Sequence, residues 1–150
     1  MRLTVTTPLA VAVDTDDVTH LRAEDDTGSF GILPGHADFL TALAISVVIW
    51  RGERSRPRYV AVRGGMLEVR NGDSIAIATP EAVPGDDLHA LEVEVLARFR
   101  SALAEERAAR TDAQRLYLAA IRLVVEHLGP RRAAVPPGAG EGSLTKGLQQ

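Results

Sequence analysis

The spacing of apolar residues changes once along the chain, near Pro84-Gly85. Ahead of that point apolar side chains recur with period two in short runs. Leu3, Val5 and Thr7 alternate with Thr4 and Thr6, and Leu9, Val11 and Val13 alternate with alanines. Tyr59 to Arg63, Met66 to Arg70 and Ile75 to Ala78 behave the same way. β-Branched and aliphatic residues at this spacing put one side of an extended chain into a core, so the runs predict strands. Gly64-Gly65 predicts a turn between two of them and Asn71-Gly72 another, because Asn-Gly supplies the positive φ values of a tight hairpin. The stretch from Asp25 to Gly35, rich in Gly, Asp and Ser, predicts mostly loop. Short strands joined by such turns predict a sandwich or barrel.

Beyond Pro84-Gly85 the spacing becomes helical. Leu88, Leu91, Val95, Phe99 and Leu103 fall three or four apart and share one face, with Asp86 or Asp87 placed to cap the helix. Thr111-Asp112-Ala113-Gln114 has the form of a capping box, which predicts an end near Arg110 and a second helix from Thr111 to about Leu128, stopped by Gly129-Pro130. Leu116, Tyr117, Leu118, Ile121, Leu123, Val124, Val125 and Leu128 cover more than one face of that second helix, which therefore asks for two partners. The last residues are rich in Pro, Gly and Ala and too poor in apolar side chains to offset chain entropy. The expected fold class is α+β: a β-sandwich over 1–85, an antiparallel two-helix hairpin over 86–130, and a disordered tail over 131–150.

Composition narrows the function. Hydrophobic residues are 45% and charged residues 25% of the chain, the balance of a globular protein. There is no cysteine, so no disulfide or thiolate chemistry. Lys and Arg number 17 against 20 Asp and Glu, intermixed, which gives no reason to expect the basic face of a nucleic-acid binder. The longest apolar run, Leu43 to Trp50, is too short to cross a bilayer, and the N-terminus lacks a signal peptide's apolar stretch.

Candidate chemistry is sparse. His20, His36, His89 and His127 are scattered at no metal-ligand spacing. The acidic groups Asp14, Asp16, Asp17 and Glu24, Asp25, Asp26 lack the glycine and closing glutamate of a calcium loop. Gly28-Ser29-Phe30-Gly31 is followed by no Lys-Ser or Lys-Thr, so it does not read as a phosphate cradle. No catalytic residue, metal site or cofactor is expected.

The segment from Gly28 through Gly31-Ile32-Leu33-Pro34-Gly35-His36-Ala37 to Leu40-Thr41-Ala42 is similar to the hallmark loop and strand of the F-type ATP synthase epsilon subunit family. Gly64-Gly65-Met66-Leu67-Glu68-Val69 resembles that family's Gly-Gly-x-Leu-Glu-Val hairpin. The resemblance covers about residues 3–128 and includes the division into a sandwich and a helical hairpin. It implies a non-catalytic rotor subunit that joins the gamma subunit to the membrane c-ring, peripheral to the cytoplasmic face of the bacterial plasma membrane. It also implies that the hairpin can reach the alpha and beta catalytic subunits and inhibit ATP hydrolysis. By the same resemblance Thr7, His36 and Thr41 match positions facing gamma, Ser29 matches the c-ring-facing position, and Arg115 and Arg122, which share a helix face, match basic residues that meet the catalytic subunits.

Three departures qualify that picture. Bacterial relatives carry Leu/Ile-Asp-x-x-Arg-Ala where this chain has Leu88-His89-Ala90-Leu91-Glu92-Val93. A carboxylate in place of a phosphate-pairing guanidinium reverses the sign of the contact, so no nucleotide site is expected. Position 29, usually Glu, is Ser, which implies a neutral contact to the c-ring. The Pro-Gly that follows the family's Leu-Thr-Ala strand is Ile45-Ser46, which implies a turn reshaped or lost. Together these point to a divergent branch, such as a second ATP synthase operon. A free-standing β-sandwich binding module with a dimerising helical hairpin is the alternative, but it leaves the Gly28–Thr41 segment unexplained.

Overall fold

The computed structural model describes residues 1–128, so the tail expected to be disordered lies outside the described residues. Eight strands form first: β1 (Arg2–Thr6), β2 (Val11–Thr15), β3 (His20–Asp25), β4 (Gly28–Ile32), β5 (Phe39–Arg51), β6 (Arg58–Arg70), β7 (Ser74–Ala78) and β8 (Ala82–Gly85). A helical turn α1 (Leu88–Ala90), a π-type turn (Leu91–Val95) and the helix α2 (Leu96–Leu128) follow. The strand order is β2-β1-β7-β6-β5-β3-β4, with β8 also paired to β6. Among the described residues only β1 and β7 run parallel. The order of a β-domain before helix agrees with the α+β expectation.

The long hairpin β5–β6 organises the domain. Its register holds from Phe39↔Val69 to Trp50↔Arg58. β6 pairs with β8 through residues 59–62 and with β7 through residues 66–70, so the strand changes neighbours at Arg63-Gly64-Gly65. The predicted turn at Gly64-Gly65 does not form, and the strand runs through it. The glycines instead reverse the alternation. Leu67 and Val69 face the main core after them and Val60 and Val62 before them, although strict alternation would put 60 and 62 with the outward residues 66 and 68. Positive φ of 70° at Gly64 and 117° at Gly65 makes the reversal possible. β5 reverses opposite them, from Leu43 to Val48 and Trp50, and passes through Ile45-Ser46 without any turn. The Asn71-Gly72 turn forms as expected, with φ of 54° and 68°.

Two other local expectations give way. The segment expected to be mostly loop contains β4, whose glycines are tolerated because it is an edge strand paired with β3 alone. Leu9 belongs to the exposed turn before β2 and not to a strand.

The residues after Gly85 pack onto the sheet. Asp87 caps α1, its carboxylate accepting from the His89 and Ala90 backbone N–H groups at 2.9 and 3.3 Å. The π-type turn inserts one residue, so Leu91, Leu96 and Phe99 are buried in place of an unbroken face from Leu88 to Leu103. They lie against Ala61, Tyr59, Ile45, Val47 and Val83. This cover is why Ala44 to Trp50 reads as an apolar run broken only by Ser46: in that half of β5 one side is buried in the main core and the other is half-buried under the helix.

The chain divides into two compact units, Met1–Ala109 and a second beginning at Arg110. Helical hydrogen bonding is continuous from Leu96 to Leu128, so the break predicted at Arg110-Thr111, and with it the hairpin, is not seen. Ala108, Ala109, Arg110, Ala113 and Gln114 are good helix formers, and no Gly or Pro interrupts them. In the second unit Leu116, Tyr117, Leu118, Ile121, Leu123, Val124, Val125 and Leu128 are exposed.

Candidate interaction site

The loop between β4 and β5 is fastened to the β6–β7 hairpin at two points. The Gly35 N–H donates to the Gly72 carbonyl at 2.8 Å, and the Asn71 N–H donates to the Asp38 carboxylate at 2.8 Å. The approach is close: a side chain at Gly72 would come within 2.7 Å of the Gly35 Cα. The His36 N–H donates to the Leu33 carbonyl at 3.1 Å and closes the loop's own turn. The imidazole meets the Phe39 ring edge-on at 5.8 Å, and Phe39 meets Phe30 at 5.5 Å. The loop is therefore a fixed projection on the sheet, built by residues from four segments of the chain.

Asp25 joins the same cluster. Its carboxylate accepts from the Thr27 hydroxyl and backbone N–H at 2.6 and 2.8 Å and from the Thr41 hydroxyl at 2.9 Å. These donors, the Thr27 hydroxyl first, hold the Asp25 carboxyl below the usual carboxylate range. A lowered folded-state pKa means that the tie adds stability above the unfolded-chain value, about 3.9, and loses it as pH falls through the folded value. Carbon NMR should give an Asp25 midpoint below about 3.9, and Thr41→Val should raise it. A midpoint at or above the ordinary value in the unaltered chain would contradict this account.

The structure gives each sequence-selected residue its own surroundings. Ser29 on β4 is exposed and accepts from the Arg22 guanidinium at 3.3 Å. It also lines a 210 Å³ cavity that includes Glu24, Glu92 and Arg100. His36 packs against Phe39, and Thr41 donates to Asp25. Thr7 stands apart at the end of β1, where its hydroxyl donates to the Ala10 carbonyl and accepts from the Ala10 N–H, both at 3.1 Å. Arg115 pairs with Asp112 one helical turn away at 3.7 Å, with both side chains exposed. Among the described residues no cluster of three or more His, Cys, Asp or Glu could hold a metal, and no helix is long and apolar enough to cross a membrane.

Sequence reasoning missed a surface beside this loop. Leu40 and Ala42 on β5, Met66 on β6, and Ala76 and Ala78 on β7 point away from the core and are exposed, Leu40 by 62% and Met66 by 44%. The register Ala42↔Met66↔Ala78 places them side by side. The signal was available: these are the apolar outward positions of alternating strands, once the reversal at Gly64-Gly65 is known.

Residues 1–85 match the family described as ATP synthase, Delta/Epsilon chain, beta-sandwich domain. The chain is 43% identical over 132 residues to "ATP synthase epsilon chain 2" of Paraburkholderia xenovorans, covering 88% of this chain and 95% of that one. It is 39% identical over 128 residues to "ATP synthase epsilon chain 2" of Cereibacter sphaeroides, covering 85% and 88%. Among solved structures it resembles a chain of the Euglena gracilis mitochondrial ATP synthase solved with its c-ring, at 26% identity and a TM-score of 0.53, spanning 71% of this chain and 62% of that chain.

Proposed function

The chain belongs to the delta/epsilon family of ATP synthase, whose members are non-catalytic subunits of that complex, and from this premise we propose that it is the rotor subunit that joins gamma to the c-ring. The observation that carries the proposal is the uncovered sheet face on which Leu40, Ala42, Met66, Ala76 and Ala78 are exposed, with the Glu68 carboxylate between Leu40 and Ala76 paired to Arg70. β5 and β6 are covered by helix at their other end, so an uncovered end beside a fixed loop fits a partner surface. Gamma takes this face, with Thr7 and His36 at its margins and Thr41 supporting the loop through Asp25. Ser29, exposed beside Arg22, gives the c-ring a neutral hydrogen-bonding contact. The helical region, with Arg115 and Arg122 on one face, reaches the alpha and beta catalytic subunits and restrains ATP hydrolysis. The subunit thereby lies at the cytoplasmic face of the bacterial membrane through its complex.

Co-purification with the gamma subunit of the same organism tests the docking face. Leu40→Asp and Met66→Asp place a carboxylate in the middle of it while leaving the core untouched. Each should weaken association by about 30-fold, the scale of a central interface anchor, with the β-sheet circular dichroism unchanged. Retention of full gamma binding by the double variant would sink this assignment.

A further inference from the structure

The closed tip of the β5–β6 hairpin is strongly basic. Arg51-Gly52-Glu53-Arg54-Ser55-Arg56-Pro57-Arg58 carries four arginines against one glutamate, a net charge of +3 in a chain whose total is −3. Every residue of this stretch except Gly52 is exposed. Among the described residues none of its four guanidinium groups enters an ion pair, whereas those of Arg2, Arg63, Arg70, Arg98 and Arg115 all do. The tip is also held in shape. The Thr19 backbone N–H and hydroxyl donate to the Arg51 carbonyl at 2.9 and 3.1 Å. The Glu53 N–H donates to the Asp17 carboxylate at 3.2 Å, and the Gly52 N–H donates to the Ser55 hydroxyl at 2.8 Å. The Asp17 carboxylate fills the space that a side chain at Gly52 would need, and Pro57 fixes φ just ahead of β6. The register from Phe39↔Val69 to Trp50↔Arg58 puts the tip at the far end of the hairpin from Leu40 and Met66, so the face assigned to gamma does not use it.

We propose that this tip is a contact site for an anionic phospholipid membrane. A guanidinium offers phosphate oxygens two parallel N–H donors, and the tip presents several such forks on one fixed loop. What it lacks points the same way. Between Arg51 and Arg58 the only uncharged residues are Gly52, Ser55 and Pro57, so there is no aromatic or aliphatic side chain to fill a partner's pocket. A specific protein interface centres on desolvated anchors of that kind, whereas a headgroup layer asks only for charge and donors. At about 0.1 M salt the screening length is about 10 Å, so a surface touching the tip feels these arginines far more than the acidic groups elsewhere in the chain. Asp17 lies inside that range, and Arg58 shares a 260 Å³ cleft with Asp14 and Asp86, so Arg51, Arg54 and Arg56 carry the contact. Its meaning rests on the rotor reading. A turning subunit can keep touching a fluid headgroup layer, which presents the same phosphates at every angle, but would break a specific contact to a stationary protein on each turn.

Flotation of the full chain with lipid vesicles tests the site. Phosphatidylcholine vesicles containing about one third phosphatidylglycerol should bind the chain about 100-fold better than phosphatidylcholine alone, at roughly fivefold per arginine. Raising salt from about 0.1 M to about 1 M shortens the screening length to about 3 Å and should abolish the difference. The triple variant Arg51→Gln, Arg54→Gln, Arg56→Gln should lose most of the preference, and the corresponding triple lysine variant should keep it to within about threefold. The exposed apolar side chains between Leu116 and Leu128 offer another route to a bilayer, but binding by that route would survive the glutamine changes. Equal binding to the two kinds of vesicle, or equal binding of the glutamine variant and the unaltered chain, overturns the proposal. Binding to neither kind of vesicle also overturns it and would leave an acidic protein surface as the partner of the tip. Both triple variants should co-purify with gamma as the unaltered chain does. Failure of gamma co-purification with anionic-vesicle binding intact would sink the rotor reading alone.

Discussion

Replacing Gly65 by alanine should destabilise the β-domain by at least about 3 kcal/mol in urea unfolding, combining backbone strain with an overpacked contact of about 1–3 kcal/mol each. The added Cβ would lie 2.1 Å from the Ala78 carbonyl oxygen and 2.9 Å from the Thr79 Cα, both backbone atoms that cannot turn aside. The residue also holds φ at 117°, which an alanine rarely adopts. Gly28 separates the two costs. Its φ is 126°, but a side chain there would meet nothing within 4 Å, so Gly28→Ala should show strain alone, about 1–2 kcal/mol. Equal losses for the two variants would mean that the end of β7 beside Gly65 has room to yield and that Gly65 serves conformation only. A larger loss at Gly65 would identify the close approach of β6 to the Ala78–Thr79 backbone as the constraint that keeps it glycine.

The same residue shows where sequence reading reaches its limit. Two adjacent glycines between apolar runs carry the signature of a hairpin turn, and local chemistry alone favours that reading. What decides otherwise is non-local. β5 runs opposite without a break, and β7 and β8 both need β6 as a partner, so the positive φ values are used to reverse facing within a strand. The π-type turn is hidden for a related reason. Leu88, Leu91, Val95, Phe99 and Leu103 fit an α-helical face well, and only the shape of the sheet beneath selects Leu96 instead of Val95 as the fully buried residue. At Arg110-Thr111 a capping box that would open a helix in a loop context is absorbed into one, because its neighbours are strong helix formers.

The candidate site was legible where a residue's role is written in backbone geometry. The Asn71-Gly72 turn could be singled out as a place of unusual φ, and the structure joins it to Gly35 by a hydrogen bond. Side-chain partners were not legible. Nothing in the sequence links Thr41 to Asp25 or Arg22 to Ser29, since each pair depends on which strands become neighbours. The apolar face around Leu40 and Met66 was concealed because its residues look like ordinary strand positions until the reversal assigns them to the outside.

Phe99→Ala should be the most damaging change in the helical region, at about 3–5 kcal/mol for a fully buried phenylalanine. Phe99 is 1% exposed and the largest fully buried side chain in the cluster between helix and sheet, and that cluster is separate from the main core of Leu3, Val5, Leu21, Ile32, Leu67, Ile75 and Ile77. The loss should therefore be local. Amides of 96–107 should exchange at rates approaching those of an unfolded helix, while β6 and β7 keep most of their protection. If protection in the main core fell by the same amount, the two clusters would be one cooperative unit, and a helix that leaves the sheet by itself would be ruled out. Phe99 also conditions the ion pairs around it, Arg98 with Glu81 and Arg63 with Glu106. The Arg98 guanidinium lies 5.5 Å from the Phe99 ring centroid, so removing the ring loosens the residue that reaches Glu81. Phe99→Ala and Glu106→Gln should then be strongly non-additive in exchange over 96–107, because a helix already lifted at Phe99 has little left to lose at Glu106. Additive effects would show that the apolar anchor and the ion pairs hold the helix independently.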